Sequence, residues 1–352
     1  MKNKLLLSSA LLGSLVAGSL AQAQTTVSGS LAIAYKSQSE MLTAVDTARG
    51  MGRESQINIQ NKGKLNNGMD YAAGMSLEFD GGQTQDASNE NVYIDIISGN
   101  TTVTVGVDHI QNSNRTRGIL VGNDAQDLHN GSDLATSSFL QTVGSDPAQS
   151  IGFGIMQKTP VGTLSALYVP TQGSNGLNDL VTQSGATAQG SAGAQSIEGV
   201  GESAYEIGFV GDLGVKGLSA HAFYNKRDTL MTERAAGSDL KGTNIGASYQ
   251  FGAATVGYNR KESEGGTTSG RELKQNEFGL AYQVTPNLSV GASYTKMDTN
   301  EAAKVDAKSK GIAIGYNLGP VAATAQYSQG ENITNSANTD QDVMYLRLTT
   351  NF

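Results

Sequence analysis

His109, His129 and His221 are the side chains best fitted to acid–base or metal chemistry near neutral pH, and their spacing serves neither. The sequence has no Cys, which removes thiolate ligands, thiol nucleophiles and disulfides together. His109 follows Asp108 directly, but neighbours on a strand point to opposite faces, so this Asp/His pair does not converge. His221 falls on the polar side of an alternating segment and is read as lining a wet surface. No glycine-rich stretch leads from a strand into a helix, so no phosphate-binding loop is read. Asp and Glu total 32 against 24 Lys and Arg, a balance that argues against a nucleic-acid surface. These residues predict no catalysis, no metal and no cofactor. The chemistry left to them is electrostatic, and it depends on which surface carries the charges.

The composition points to what carries them. Gly accounts for 44 of 352 residues, Pro for only 5 and Trp for none, and 38% of residues are hydrophobic. That fraction is low for a large soluble core. The regular placement of Tyr, Phe, Val and Ile argues against disorder. A large β-barrel with a wet interior buries little side-chain core for its size. At the start of the chain, Lys2 and Lys4 precede an apolar run from Leu5 to Leu20, and Ala21-Gln22-Ala23 forms a small-x-small cleavage site. The run falls short of the roughly 20 residues a spanning helix needs. Residues 1–23 are therefore predicted to be a cleaved signal peptide and 24–352 the mature chain. Loss of Lys2 and Lys4 leaves 22 basic against 32 acidic residues, a charge of −10.

The mature chain alternates with period two. From Met69 to Asp80 the odd positions are Met69, Tyr71, Ala73, Met75, Leu77 and Phe79, while the even ones are Asp70, Ala72, Gly74, Ser76, Glu78 and Asp80. One face is apolar and the other polar or small, which is the mark of a half-buried strand. Val103, Val105 and Val107 alternate in the same way, as do Phe278, Leu280, Tyr282 and Val284, and again Met344, Leu346 and Leu348. Sixteen such segments are predicted, near 26–36, 54–61, 69–80, 90–97, 102–109, 150–158, 162–169, 203–212, 216–227, 242–251, 253–262, 273–284, 287–297, 309–318, 320–329 and 340–352. The connections between them alternate strictly between long and short. Ser98–Thr101, Thr159–Val161, Gly252, Thr285-Pro286 and Gly319 suit tight turns, whereas 37–53, 110–149 and 170–202 are long. The fold class predicted is all-β: a 16-stranded antiparallel transmembrane β-barrel with short periplasmic turns and long outer loops. The aromatic residues agree. Of 21 Tyr and Phe, 17 lie on the apolar parity of their strand, and many stand near strand ends, as interfacial girdles require.

Several stretches carry a family resemblance. Thr25-Thr26-Val27-Ser28-Gly29, Gly63-Lys64-Leu65-Asn66-Asn67-Gly68-Met69-Asp70-Tyr71, Leu77-Glu78-Phe79, Asn91-Val92-Tyr93-Ile94-Asp95 with Thr102-Val103-Thr104-Val105-Gly106, and the ending Tyr345-Leu346-Arg347-Leu348-Thr349-Thr350-Asn351-Phe352 are similar to Gram-negative general porins. The resemblance covers the whole mature chain in architecture and is strongest in residues 60–108 and at the C-terminus. It implies a homotrimer of barrels in the outer membrane of a Gram-negative bacterium, each passing small hydrophilic solutes and ions by diffusion, with outer-membrane lipid around it. It makes Phe352 an assembly signal. It also implies that the third long loop, 110–149, folds into the barrel as a constriction. The charged candidates there are Asp124, Asp127, Asp133 and Asp146, with Arg115 and Arg117, and Asp124 and Asp127 rank first.

The facing wall departs from that family. Members often carry lumen-facing Arg on the second and fifth strands, where this sequence has Gln56 and Asp108. Inward-parity residues of the first five strands include Lys36, Gln56, Asn58, Gln60, Glu78, Asp95 and Asp108, a wall more acidic than basic. Basic candidates elsewhere are Lys158, Arg227, Lys261 and Arg347. Weak cation selectivity is the expectation. The first five strands hold three of the 17 outward aromatics and are otherwise covered by aliphatics, which fits a subunit interface. Two other readings stay open at this level: a substrate-specific channel of the same fold, and a structural or adhesive barrel acting through its loops.

Overall fold

The computed structural model describes residues 23–39, 47–80, 88–107, 151–170, 203–228, 238–266, 270–301, 304–332 and 340–352. Alternation of apolar and polar side chains is satisfied when one face of a strand meets lipid and the other meets the inside of a closed sheet. Sixteen strands form: β1 (Gln24–Ser39), β2 (Thr47–Lys64), β3 (Asp70–Asp80), β4 (Ser88–Ser98), β5 (Thr101–Val107), β6 (Gly152–Thr159), β7 (Gly162–Val169), β8 (Ala204–Gly211), β9 (Leu218–Arg227), β10 (Ser238–Phe251), β11 (Ala254–Gly266), β12 (Glu272–Thr285), β13 (Leu288–Thr299), β14 (Ala307–Asn317), β15 (Val321–Glu331) and β16 (Gln341–Asn351). Each pairs antiparallel with its sequence neighbours, and β1 pairs β16 from Ser30↔Asn351 to Ser39↔Asp342, so the sheet closes into a barrel without edges.

The distribution of side chains is inverted relative to a soluble domain. Phe153 is 55% exposed and Ile312 59%, while Thr104 and Asn259 are 0% exposed. Apolar residues that face out on every strand require an apolar surrounding, which a bilayer supplies. The turns at one rim are short. Gly99 (φ 57°) and Gly252 (φ 61°) adopt the left-handed backbone that tight hairpins demand.

Two features differ from expectation. The strands run further outward than the alternation reaches: β1 continues to Ser39 and β2 begins at Thr47, inside the expected long connection 37–53. β2 has 18 residues, well beyond the roughly 9–11 that cross an apolar core. Its extra part, Thr47–Arg53, lies beyond the apolar band, where alternation has no reason to persist. The second difference concerns the inner face, which is not polar throughout. Leu167, Val169 and Ala204 form a buried cluster at the outer ends of β7 and β8. Leu240, Leu273, Ala307 and Val343 are buried on inward parity at the corresponding ends of β10, β12, β14 and β16.

Candidate functional site

The inner face of the barrel carries two polar walls on opposite sides of the strand order. On the first, β1 presents the small residues Ala32 and Ala34 inward. Arg347 of β16 pairs with Ala34 in the ladder and reaches across β1 to β2, where Nη2 lies 3.4 Å from Glu54 Oε2. Gln56 and Glu78 are direct cross-strand partners on β2 and β3. Lys36 stands opposite Tyr345 and Gly50. Further round, Thr104 Oγ1 donates to Asp95 Oδ1 at 2.7 Å, and both side chains are buried. The Gln60 side-chain amide donates to the Tyr93 phenol. Tyr93 is flanked by Gly74 on β3 and Gly106 on β5, where an added Cβ would come within 2.7 Å of its hydroxyl and of its Cβ respectively. Glycine on both sides lets this inward aromatic lie against the wall instead of across the lumen.

The second wall is a row of amides and carboxylates. His221, Gly246, Asn259, Glu277, Thr295 and Ser309 stand in register across β9 to β14. Asn259 Nδ2 donates to Glu277 Oε2 at 2.9 Å, and Gln275 Nε2 donates to the other carboxylate oxygen. This fixes the orientation of the Asn259 amide, so its carbonyl oxygen faces His221 Nε2 at 3.0 Å. Asn244 Oδ1 approaches the same nitrogen at 3.2 Å. Two acceptors around Nε2 place the imidazole proton there. Asn225 Nδ2 donates to Glu206 Oε2 at 3.1 Å two inward positions beyond His221. The Phe223 ring lies over Gly208, where any Cβ would overlap it.

Of the wall residues expected from sequence, Gln56 and Glu78 are cross-strand partners and Arg347 reaches Glu54 beside them, whereas Lys36 stands opposite Gly50 and Asp95 opposite Ala72, further along the strands. Lys158 stands apart at the short-turn end of β6, where its backbone N–H donates to Asn100 O at 2.9 Å. Arg227 is at the outer end of β9, opposite Ala204 and Leu240. Asp108 and all six loop candidates, Arg115, Arg117, Asp124, Asp127, Asp133 and Asp146, lie outside the described residues, as do His109, His129 and residues 1–22. Phe352 stacks over Gly29 at the barrel seam. Its N–H donates to Gly29 O at 3.0 Å, and Gly29 N–H donates back to Phe352 O at 2.9 Å.

Neither Glu54, at the expected start of β2, nor Glu206, Glu277 and the amide row on the later strands were among the residues expected from sequence. The signal existed in the later strands. Tyr205, Ile207 and Phe209 face out, which by parity turns Glu206 in, and Phe278 and Leu280 do the same for Glu277. Among the described residues, no group of three or more His, Asp or Glu is placed to hold a metal ion.

A family model described as Gram-negative porin matches residues 8–338. No curated protein matches the chain. Among solved structures, an anion-selective porin from Comamonas acidovorans is 13% identical with a TM-score of 0.68, covering 94% of this chain and 100% of its own. OmpT of Vibrio cholerae, solved in trimer form, is 12% identical with a TM-score of 0.60, covering 94% and 99%. A triple mutant of Rhodopseudomonas blastica porin is 16% identical with a TM-score of 0.58, covering 94% and 100%. Identities this low establish a shared fold.

Proposed function

The chain belongs to the Gram-negative porin family, and on that premise we propose that it forms a water-filled channel for passive diffusion of small hydrophilic solutes and ions, with a weak preference for cations. One observation carries the channel reading: the sheet closes on itself with its apolar side chains outward and charged and amide side chains inward. Charged and amide side chains can replace part of an ion's hydration shell, which apolar walls cannot. The reading assigns transport and no catalytic step. It takes 24–352 as the mature barrel, released from a signal peptide at 1–23, and keeps 110–149 as the constriction with Asp124 and Asp127 foremost.

The cation preference rests on how charges are compensated. Arg347 shares its charge with Glu54 at 3.4 Å, and Lys64 pairs with Asp70 at 2.6 Å near the short-turn rim. Glu277 is held by two neutral amides, so its negative charge is oriented without being cancelled. Lys158, Arg227 and Lys261 offset part of this, which is why the preference is weak. The chain is read as a homotrimer that meets its partners through β1–β5, because outward Leu31, Ile33, Ile94, Val103 and Val105 are aliphatic there.

The test is a reversal potential across a planar bilayer in a KCl gradient. The expected sign is cation-leaning. Glu54→Gln should move it toward anions by removing the negative charge beside Arg347, at a stability cost under about 1 kcal/mol for a partly exposed pair. Anion preference in the unmodified protein would overturn the selectivity and leave the channel standing.

A further inference from the structure

The wall that runs from β8 to β12 is balanced in charge. Among its described inward residues, Glu206 on β8 and Glu277 on β12 are acids, Arg227 on β9 and Lys261 on β11 are bases, and β10 contributes no charge. Beyond the strands, Arg271 is paired with Glu301 at 2.6 Å and adds nothing to the sum. On such a wall one further charge decides the sign of the potential that a passing ion meets. His221 is placed to supply it. It is the one histidine among the described residues, and its side chain is of the type that ordinarily changes charge between about pH 5 and 8.

The surroundings take the second proton without repacking. Asn259 Oδ1 lies 3.0 Å and Asn244 Oδ1 3.2 Å from Nε2. The first proton therefore sits on Nε2, and both contacts persist in the imidazolium. Asn259 cannot turn its amine toward the ring, because Nδ2 is committed to Glu277 at 2.9 Å. The two carbonyls ask for one N–H, which a Gln would supply as well, so what the imidazole adds is its second proton. Nδ1 has no hydrogen-bond partner among the described residues. The ring is only partly buried and lies across Gly246, where an added Cβ would come within 2.7 Å of Cε1. Water in the lumen reaches Nδ1 there. The charged groups that face the ring are Glu206 from β8, Lys261 from β11 and Glu277 from β12, and Arg227 stands three inward positions further out on its own strand. Lys261 and Glu277 are opposite in sign, so their fields on the ring partly cancel.

We propose that His221 is a specificity-determining residue of this channel: by taking a second proton on Nδ1 as the medium turns acidic, it tips the β8–β12 wall from balance to net positive and shifts permeation from cations toward anions. This deepens the channel reading and rests on it. The proton comes from lumen water, no bond of the protein breaks, and the amide row holds the new charge in place.

The test is the cation-over-anion permeability ratio of the refolded mature barrel, read from reversal potentials in a KCl gradient between about pH 7.5 and pH 5.5. The unmodified channel should lose about half of that ratio or more across the window. His221→Gln, which keeps an N–H for the two carbonyls, should hold the neutral-pH ratio throughout. His221→Lys should hold the acid-pH ratio throughout. The double variant His109→Gln, His129→Gln, at positions outside the described residues, should keep the change. Heat-dependent gel mobility reports that each variant is folded. A flat ratio in the unmodified channel would overturn the proposal without any variant. So would a ratio that still falls in His221→Gln or His221→Lys, or one that no longer falls in the double variant. The measurement reads the change with pH, so anion preference at neutral pH leaves it intact. Absence of conductance at both ends of the window would instead be a failure of the channel reading.

Discussion

Single side chains set the free cross-section of this barrel. Phe223 faces inward yet lies flat, because Gly208 beside it on β8 has no Cβ to lift the ring. Gly208→Val should push the ring into the lumen, at an overpacking cost of about 1–3 kcal/mol. The expected result is lower single-channel conductance with the barrel still folded by its heat-dependent gel mobility. Unchanged conductance would mean the ring does not bound the path. Parity made Phe223 legible as an inward aromatic, but nothing in the local sequence announces that its strand partner is glycine. The Arg347–Glu54 pair was equally invisible, since 293 residues separate its members and only closure of β1 on β16 brings them within reach.

Among the strands, alternation was legible wherever one side meets lipid, and it places Gln56, Glu78 and Asp95 on the inner parity together. It was not legible in two places, for different reasons. Thr47–Arg53 holds a single large apolar side chain, Met51, among polar or small residues, so the period is lost. In β7 both faces are apolar near the outer end, with Ala166 and Tyr168 outward and Leu167 and Val169 inward, so the pattern gives no sign that the inner face turns hydrophobic there. The aliphatic face of β1–β5 leads to a prediction at this scale. Val103, 47% exposed on β5, should tolerate no charge if it meets another protomer. Val103→Arg should convert the trimer to single barrels by blue-native mobility. Ile312→Arg on β14 should leave the trimer intact and cost the barrel about 2–4 kcal/mol against lipid. Trimers that survive Val103→Arg would place the interface elsewhere.

For the whole molecule, the inverted arrangement of side chains has one physical consequence that outweighs the rest. Outward apolar strands need a bilayer. The inward charges and amides need water or partners, so the interior works as a path for polar solutes. Which loop carboxylates narrow that path is the part least legible from sequence, because a loop without period offers no parity to read. The direct measurement is single-channel conductance of the refolded mature barrel in a planar bilayer. Ohmic openings that arrive in groups of three are the predicted result. Absence of ohmic conductance from folded, membrane-inserted protein would contradict the channel and turn attention to the outer surface as the working part.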